Sequence, residues 1–289
     1  MIEDVQSFLK THAPEWAHLP VRPFASSGTD NALYLLGEDH VLRLPKRNEA
    51  IEALRKELKW LPALVGLPLA VPELVFHGKT FETLGYDFGI FRWLQGQIAT
   101  PDQTNDGKQA AVALARFLTA LHHVETTGAP WAGKSNFNRG VPLENLTDKT
   151  HASIAILADE IDTVAARAIW EQGCAADPNT APVWVHGDLK SDNLIARNGA
   201  LSGVIDWGLA AVGDPAVDYA AAWTWITPEH RRTFQQACTA SDDDWHRARA
   251  WALYAATISL SYYRGRSHEA LCAHSRQTLA HLGLAEIAN

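Results

Sequence analysis

The stretch covering residues 183–206 restricts the fold of this chain more than any other part of the sequence. It begins with a short apolar run, Val183-Trp184-Val185, which is typical of a buried strand. A polar segment follows, and then two apolar runs flank the pair Asn198-Gly199. An Asn-Gly pair in this setting predicts a tight hairpin, because both residues tolerate a positive φ angle. The sequence therefore predicts a strand, a loop, a hairpin and a second loop that begins at Asp206.

Three oxygen-bearing side chains flank this predicted hairpin, which is expected to bring Asp206 next to Asn193 and Asp188. Asn193 and Asp206 offer hard oxygen ligands, which suit Mg²⁺ together with phosphate oxygens and water. Asp188 is then available to accept a proton from a hydroxyl nucleophile or to orient it. Lys190 is a candidate to offset charge on a transferring phosphoryl group. The alternative interpretation is that these are ordinary turn-forming polar residues.

The same residues resemble a known family. His186-Gly187-Asp188, followed after four residues by Asn193, is similar to the kinase catalytic loop, with glycine where protein kinases carry arginine. Asp206-Trp207-Gly208 resembles the metal-binding Asp-Phe-Gly of kinases. Together with Gly213-Asp214-Pro215, these segments are similar to the aminoglycoside phosphotransferase family. The resemblance implies an α+β, two-lobed protein-kinase-like fold, with an N-terminal sheet lobe over residues 1–94 and a mainly helical catalytic and substrate-binding lobe over residues 95–289.

The N-terminal part has the pattern of a sheet with one principal helix. Apolar runs at 21–25, 32–36, 41–44, 71–76 and 86–91 predict a five-stranded antiparallel sheet. Helical spacing of leucine and isoleucine predicts a helix within 47–65, with Pro62 near its end. The resemblance implies that the small polar loop at 26–31 covers the nucleotide phosphates, so that Ser27 and Gly28 lie there.

Arg43 occupies the strand position where the kinase fold usually carries a phosphate-binding lysine. Arginine is also a competent phosphate ligand, although it is bulkier than lysine. The resemblance implies that a helix glutamate pairs with this cation to hold it towards the α- and β-phosphates; Glu57 is the first choice and Glu52 the second. The alternative is that these glutamates belong to a solvated, charged helix face.

The segment after the last predicted strand resembles the hinge between the two kinase lobes. The resemblance implies that the Arg92 carbonyl and the Leu94 N–H bind the adenine edge, with Phe91 behind the base. A strand end can supply one donor, one acceptor and apolar walls to such a ring. The alternative is a plain connector between domains.

Helical spacing returns beyond the hinge, at 108–123, at 152–170 and in three or four helices within 216–282. Asp214 is expected to cap a helix that starts at Pro215. Asp242, Asp243 and Asp244 are expected to cap another helix. By resemblance, Asp218 binds the backbone of the catalytic loop, and His186 braces this loop and does not act as the base.

The composition restricts the partners. A formal net charge of −8 argues against nucleic acid as a partner, and no apolar run is long enough to span a bilayer. Three cysteines, Cys174, Cys238 and Cys272, do not form a disulfide framework, so the cytoplasm is the expected compartment. The expected partner is a hydroxyl-bearing small molecule, and the oligomeric state is left open.

These observations predict an ATP- and Mg²⁺-dependent O-phosphotransferase that acts on a small molecule. The acceptor is an aminoglycoside or another antibiotic such as a macrolide; the alternative is a metabolite such as a sugar or amino alcohol. A protein kinase is a second class, which the short segment between Asp206 and Asp218 disfavours. A non-catalytic nucleotide-binding module is a third class, disfavoured by the intact set of Asp188, Asn193 and Asp206.

Overall fold

The computed structural model describes residues 5–25, 30–80, 85–100, 103–178, 181–266 and 268–286. Ser27 and Gly28, expected near the nucleotide phosphates, lie outside these ranges. The chain divides into two compact units. The sheet unit comprises Met1–Gly96 and Gly203–Gly208, and the helical unit comprises Gln97–Ser202 and Leu209–Asn289. The expected domain boundary at residues 94 and 95 stays a prediction.

A five-stranded antiparallel sheet forms the sheet unit, which confirms the predicted strands. The strands are β1 (Val21–Phe24), β2 (Asn31–Leu36), β3 (His40–Pro45), β4 (Leu74–Lys79) and β5 (Asp87–Arg92). Their order is β1-β2-β3-β5-β4. Strand β3 is therefore central, and its Arg43 lies between Leu33 of β2 and Gly89 of β5. Strand β4 begins three residues later than the apolar run starting at Val71 indicates, since Pro72 cannot donate to a ladder.

Helix α1 (Val5–His12) covers one face of this sheet. Its Val5, Phe8 and Leu9 are buried, as their helical spacing predicts. They belong to one apolar cluster with Leu36, Leu42, Leu44, Phe88 and Ile90 of the sheet. Burial of side chains this large contributes about 1.5–3 kcal/mol each, so α1 is an integral part of the sheet unit.

Helix α2 (Asn48–Trp60) packs close to the sheet beside Arg43. It ends before the expected limit, because Pro62 stands in a following 3₁₀ turn, Leu61–Leu64. A Cβ atom on Gly89 would lie only 2.7 Å from the Leu58 side chain. Glycine at this position lets the helix approach strand β5 closely, which brings the polar face of α2 near the strand carrying Arg43.

Five further short strands flank the loops that carry the candidate site residues. They are β6 (Gln97–Ile98), β7 (Val183–Val185), β8 (Leu194–Arg197), β9 (Ala200–Val204) and β10 (Ala211–Gly213). Strands β7 and β10 pair antiparallel, and β6, β8 and β9 form a second small sheet. Asn198 and Gly199 have φ angles of 53° and 77°, which confirms the tight turn predicted from this pair.

The remaining helices belong to the helical unit. They are α3 (Gly107–His122), α4 (Thr147–Ile156), α5 (Thr163–Ala175), α6 (Ala216–Tyr219), α7 (Ala221–Thr224), α8 (Arg231–Cys238), α9 (Asp242–Tyr263) and α10 (Glu269–His281). Five helices, rather than three or four, lie within the described part of 216–282. The single helix expected over 152–170 is wrong, because the chain breaks after α4 and Asp162 caps α5 by accepting from two backbone N–H groups.

Two further helix starts differ from expectation in detail. Pro215, and not Asp214, is the residue preceding α6, although the Asp214 carboxylate accepts a hydrogen bond from the Ala216 N–H. The cap of α9 is Ser241, and Asp244 completes a reciprocal capping box with it. No helix in the described part of the chain is both long and apolar enough to cross a membrane.

Candidate active site

The loop after strand β7 is fixed by a buried carboxylate from helix α6. Asp218 accepts hydrogen bonds from the backbone N–H groups of His186 at 2.6 Å and Gly187 at 2.8 Å. This confirms the supporting contact expected of Asp218. Burial raises the pKa of Asp218, and the two backbone N–H donors oppose this effect. Gly187 has a φ of 81°, and a Cβ there would lie 3.2 Å from the Leu209 carbonyl, so the turn requires glycine.

The side chain of His186 braces the same loop from inside. It is fully buried, and its Nδ1 accepts a hydrogen bond from the Asp188 N–H at 3.3 Å. That contact is the bracing interaction expected of this histidine. Because Nδ1 is used as an acceptor, the ring stabilises the loop conformation that presents the Asp188 side chain.

Asn193 is bonded to Asp188 in a way that determines the orientation of its amide. Its Nδ2 donates to the Asp188 carbonyl at 2.8 Å and to Asp188 Oδ2 at 3.0 Å. Both amide hydrogens are thereby used, since each Asp188 oxygen can only accept. The carbonyl oxygen of Asn193 is left for a hard cation, which fits a Mg²⁺ ligand.

The charge environment of Asp188 favours the carboxylate. Burial opposes its ionisation, but the positive charges of Lys190 and Arg139 outweigh burial and lower the pKa of Asp188. Lys190 Nζ lies 3.1 Å from Asp188 Oδ2. An ionised Asp188 can orient a hydroxyl and accept its proton late in the reaction, when the oxygen has become acidic.

The loop containing Asp206 belongs to the sheet unit and is held by helix α2. Asp206 adopts a left-handed backbone with φ of 64°, which aspartate tolerates better than most residues. The Trp207 N–H donates to Glu57 Oε1 at 2.7 Å, and Lys56 Nζ donates to the Gly208 carbonyl at 2.8 Å. The expected convergence of Asp206 with Asn193 and Asp188 involves residues of both units and stays a prediction.

Glu57 also forms the expected ion pair with Arg43. Arg43 Nη1 lies 2.9 Å from Glu57 Oε2, and only 4% of the Glu57 side chain is exposed. The Arg43 guanidinium lies 4.6 Å from the centre of the Phe91 ring, which is a cation–π distance. Glu52, the second choice, is exposed and pairs with Arg55. Glu57 therefore contacts both Arg43 on the central strand and the Trp207 backbone. The contact with Trp207 could not be predicted from the spacing of residues in the sequence.

The expected hinge residues lie at the end of strand β5, Phe91 and Arg92, and just after it, Leu94. Arg92 pairs through its side chain with Glu73 at 2.7 Å, and the Trp93 N–H donates to the Asp39 carbonyl. The Leu94 N–H has no hydrogen-bond acceptor within the described ranges, so it suits a ligand acceptor. Phe91 is fully buried beneath Arg43. The roles of Phe91, Arg92 and Leu94 in binding a base stay predictions.

A recess of about 120 Å³ opens beside Asp188 within the helical unit. Helices α9 and α10 supply Trp251 and His274 to its wall, and the catalytic loop supplies Asp188 and Lys190. Arg139, from the connection between α3 and α4, also lines it. Sequence reasoning missed Arg139, because nothing in its neighbourhood indicates that the chain folds back onto Gly187.

Arg43 on the central strand pairs with Glu57 of helix α2, and Asp188 lies in a braced loop where Asn193 bonds to it. This combination is typical of phosphotransferases of the protein-kinase-like type. The sequence pattern of the phosphotransferase enzyme family matches residues 21–251. The chain belongs to this family.

Individual relatives agree with that assignment. An Escherichia coli aminoglycoside 3′-phosphotransferase is 26% identical over 182 residues, which span 57% of this chain and 60% of the relative. The GDP and kanamycin complex of an APH(2″) aminoglycoside phosphotransferase superposes with a TM-score of 0.72 at 22% identity, covering 96% of this chain and 98% of the other. The streptomycin–ATP complex of another APH(2″) enzyme has a TM-score of 0.64 at 21% identity, covering 93% and 94%. These structures share the fold of this chain.

Proposed function

We propose that this protein transfers the γ-phosphoryl group of ATP to a hydroxyl group of a small molecule. The observation that carries the proposal is the fixed position of Asp188. Its loop is held by Asp218 and His186, and its side chain is bonded by Asn193 and Lys190. Such preorganisation suits a reaction in which positioning and charge stabilisation supply most of the catalysis.

The nucleotide is assigned to the sheet unit. Arg43, held by Glu57, binds the α- and β-phosphates, and Ser27 and Gly28 belong to the loop that covers them. The backbone at Arg92 and Leu94 binds the adenine edge, with Phe91 behind it. The ATP complex of one structural relative and the GDP complex of another support a purine nucleotide as the phosphoryl donor.

Asn193 and Asp206 are the proposed Mg²⁺ ligands, because each offers a hard oxygen. When bound, the metal neutralises charge on the phosphate oxygens. Lys190 assists at the γ-phosphate, and Asp188 orients the acceptor hydroxyl and takes its proton. The new P–O bond forms to the hydroxyl oxygen as the bond to the ADP oxygen breaks.

Kanamycin and streptomycin complexes of structural relatives support an aminoglycoside or another antibiotic as a candidate acceptor. A metabolite kinase acting on a sugar or amino alcohol is the alternative, because the fold does not determine the acceptor.

Three free cysteines, two of them buried, agree with a cytoplasmic location.

A two-stage measurement tests the proposal. Mg·ATP is expected to raise the melting temperature of the protein, since a ligand that binds only the folded state stabilises it. A screen with γ-labelled ATP then measures label transfer to aminoglycosides, macrolides, sugars and amino alcohols. ATP binding without transfer to any acceptor across a broad panel would favour a non-catalytic nucleotide-binding module.

A further inference from the structure

The connection between α3 and α4 contains a tightly held loop, residues 133–140, that carries Arg139. The buried Asn136 side chain accepts from the Gly133 N–H and donates to the carbonyls of Arg139 and Leu209. Phe137 and Asn138 both have positive φ angles, which non-glycine residues rarely adopt. The loop therefore holds Arg139 in one position despite an unfavourable backbone.

Arg139 faces the catalytic loop at the recess beside Asp188. A Cβ on Gly187 would lie 3.2 Å from the Arg139 Cβ, so the two residues are in close contact. The guanidinium lies 5.9 Å from the ring centre of Tyr254. No carboxylate among the described residues forms an ion pair with Arg139, and its buried Nε has no hydrogen-bond acceptor.

The charges around the recess indicate which ligand groups it can hold. Asp188 is the only carboxylate among the described lining residues, and two cations, Arg139 and Lys190, accompany it. His274 adds no negative charge, and burial lowers its pKa, so that it is neutral at pH 7. Asp192 acts on His274 electrostatically, but its side chain is exposed. An ammonium group would meet the positive charges of Arg139 and Lys190 here, whereas an oxyanion would meet complementary charge.

We propose that the acceptor carries an oxyanion, a carboxylate or a phosphate, next to the hydroxyl that is phosphorylated, and that Arg139 binds this group. This rests on the proposed phosphotransferase function and specifies its substrate class. Arg139 is then a specificity-determining residue, because it selects anionic hydroxyl compounds over neutral and cationic ones of the same size.

Matched small ligands test this inference without requiring turnover. Glycerol, glycerate, glycerol phosphate and 2-amino-1,3-propanediol share a three-carbon skeleton and differ in charge. Glucitol, gluconate and glucosamine form a larger set, and kanamycin provides a polycation. Dissociation constants are measured by ligand-observed NMR titration of the full-length protein with Mg·ADP. Comparing the dissociation constants of glycerate and gluconate with that of glycerol phosphate shows whether the recess prefers a carboxylate or a phosphate.

At least one oxyanion-bearing compound is expected to bind tenfold or more tightly than its neutral and cationic counterparts. Arg139→Gln should weaken that binding by about ten- to a hundredfold, the range for a hydrogen bond to a charged group. Arg139→Lys should recover part of the preference by restoring the charge. Arg116→Gln, an exposed position on α3, is the matched control and should leave binding unchanged. Circular dichroism of each variant verifies folding.

The inference would be overturned if a neutral compound or kanamycin bound more tightly than every oxyanion-bearing compound. It would also be overturned if Arg139→Gln kept the preference for anions, or if no oxyanion-bearing compound bound at millimolar concentration. Failure of the proposed phosphotransferase function alone would give a different result. An oxyanion-bearing compound would then bind through Arg139, but no label would pass to it from γ-labelled ATP.

Discussion

Asp188 lies in a set of contacts that leave its side chain little freedom. Asn193 and Lys190 contact its carboxylate, and His186 accepts from its backbone N–H. Only Asp188 in this set can act as a proton acceptor for a substrate hydroxyl, because Asn193 is bound through its amide and His186 is buried. The chemistry of the proposed reaction therefore depends on one carboxylate.

Asp188→Asn should reduce kcat by about 10²–10⁴-fold, the usual contribution of a general base. The amide is close in size to the carboxylate, so the fold should be retained. Steady-state kinetics with the best acceptor measure the effect, and the affinity for Mg·ATP is the internal control. Turnover within a few-fold of the wild type would remove Asp188 from the mechanism.

The positive charge of Lys190 favours the ionised form of Asp188, so Lys190 should affect the pH dependence of activity. The pKa of Asp188 is lowered, so its protonation, and the loss of activity that follows, is expected below the ordinary range of aspartate. Lys190→Met removes a positive charge 3.1 Å away and should raise the pKa of Asp188, moving the acidic limb of kcat/KM to higher pH. Comparison of the two pH profiles measures the shift; a limb that moves to lower pH or stays in place contradicts this electrostatic assignment.

Asp218 is a buried acceptor with two backbone donors, one for each oxygen. Asp218→Asn leaves one of these N–H groups facing an amide donor, which should cost about 1–3 kcal/mol of unfolding free energy. Urea unfolding measures the loss, with Asp177→Asn at an exposed position as the control. We also expect kcat to fall, because the loop carrying Asp188 loses an anchor. A fully stable variant would show that the loop is held by other contacts.

At the scale of elements, helix α2 connects two parts of the sheet unit. Through Glu57 it contacts Arg43 on β3 and the Trp207 backbone, and through Lys56 it contacts Gly208. Burial lowers the pKa of Lys56, and the nearby Glu57 charge opposes this. The position of the helix is therefore coupled to both the cation on the central strand and the loop that contains Asp206.

Glu57→Gln separates the two functions of this glutamate. The amide oxygen can still accept from Trp207, but the negative charge opposite Arg43 is lost. We expect KM for ATP to rise about five- to a hundredfold, corresponding to about 1–3 kcal/mol for a lost charge-assisted hydrogen bond. Glu52→Gln, which affects only an exposed pair with Arg55, is the matched control. An unchanged KM would mean that Arg43 does not need Glu57 to bind phosphate.

Elements with strong local signals were predictable from sequence, and elements that depend on remote contacts were not. The Asn198-Gly199 turn follows from backbone preferences, and the face of α1 follows from helical spacing. The break between α4 and α5 was missed because helical spacing continues on both sides of it, although Asp162 carries the cap signal. The Glu57–Trp207 bond and the position of Arg139 join residues far apart in sequence, so local patterns contain no information about them.

At the scale of the whole molecule, the two units have separate assignments. The sheet unit contains Arg43 and Glu57, which we propose for the nucleotide, and the helical unit contains Asp188 and the recess that we propose for the acceptor. Each assignment has its own measurable ligand, so nucleotide binding and acceptor binding can be lost independently by substitution.

Asp206→Ala should abolish metal dependence of nucleotide binding, because the proposed site loses its carboxylate. Isothermal titration of ATP with and without Mg²⁺ measures this, and the wild type is expected to bind ATP more tightly with the metal. A variant that binds Mg·ATP with unchanged metal dependence would exclude Asp206 as a ligand.

The most direct measurement is transfer of label from γ-³²P-ATP to an acceptor by the wild-type protein and by Asp188→Asn, with ³¹P NMR identifying the phosphorylated oxygen. The account predicts a phosphate monoester on an acceptor hydroxyl with the wild type, and its formation at least about a hundredfold more slowly with the variant. Equal rates for the two proteins, or a product labelled at nitrogen instead of oxygen, would contradict it.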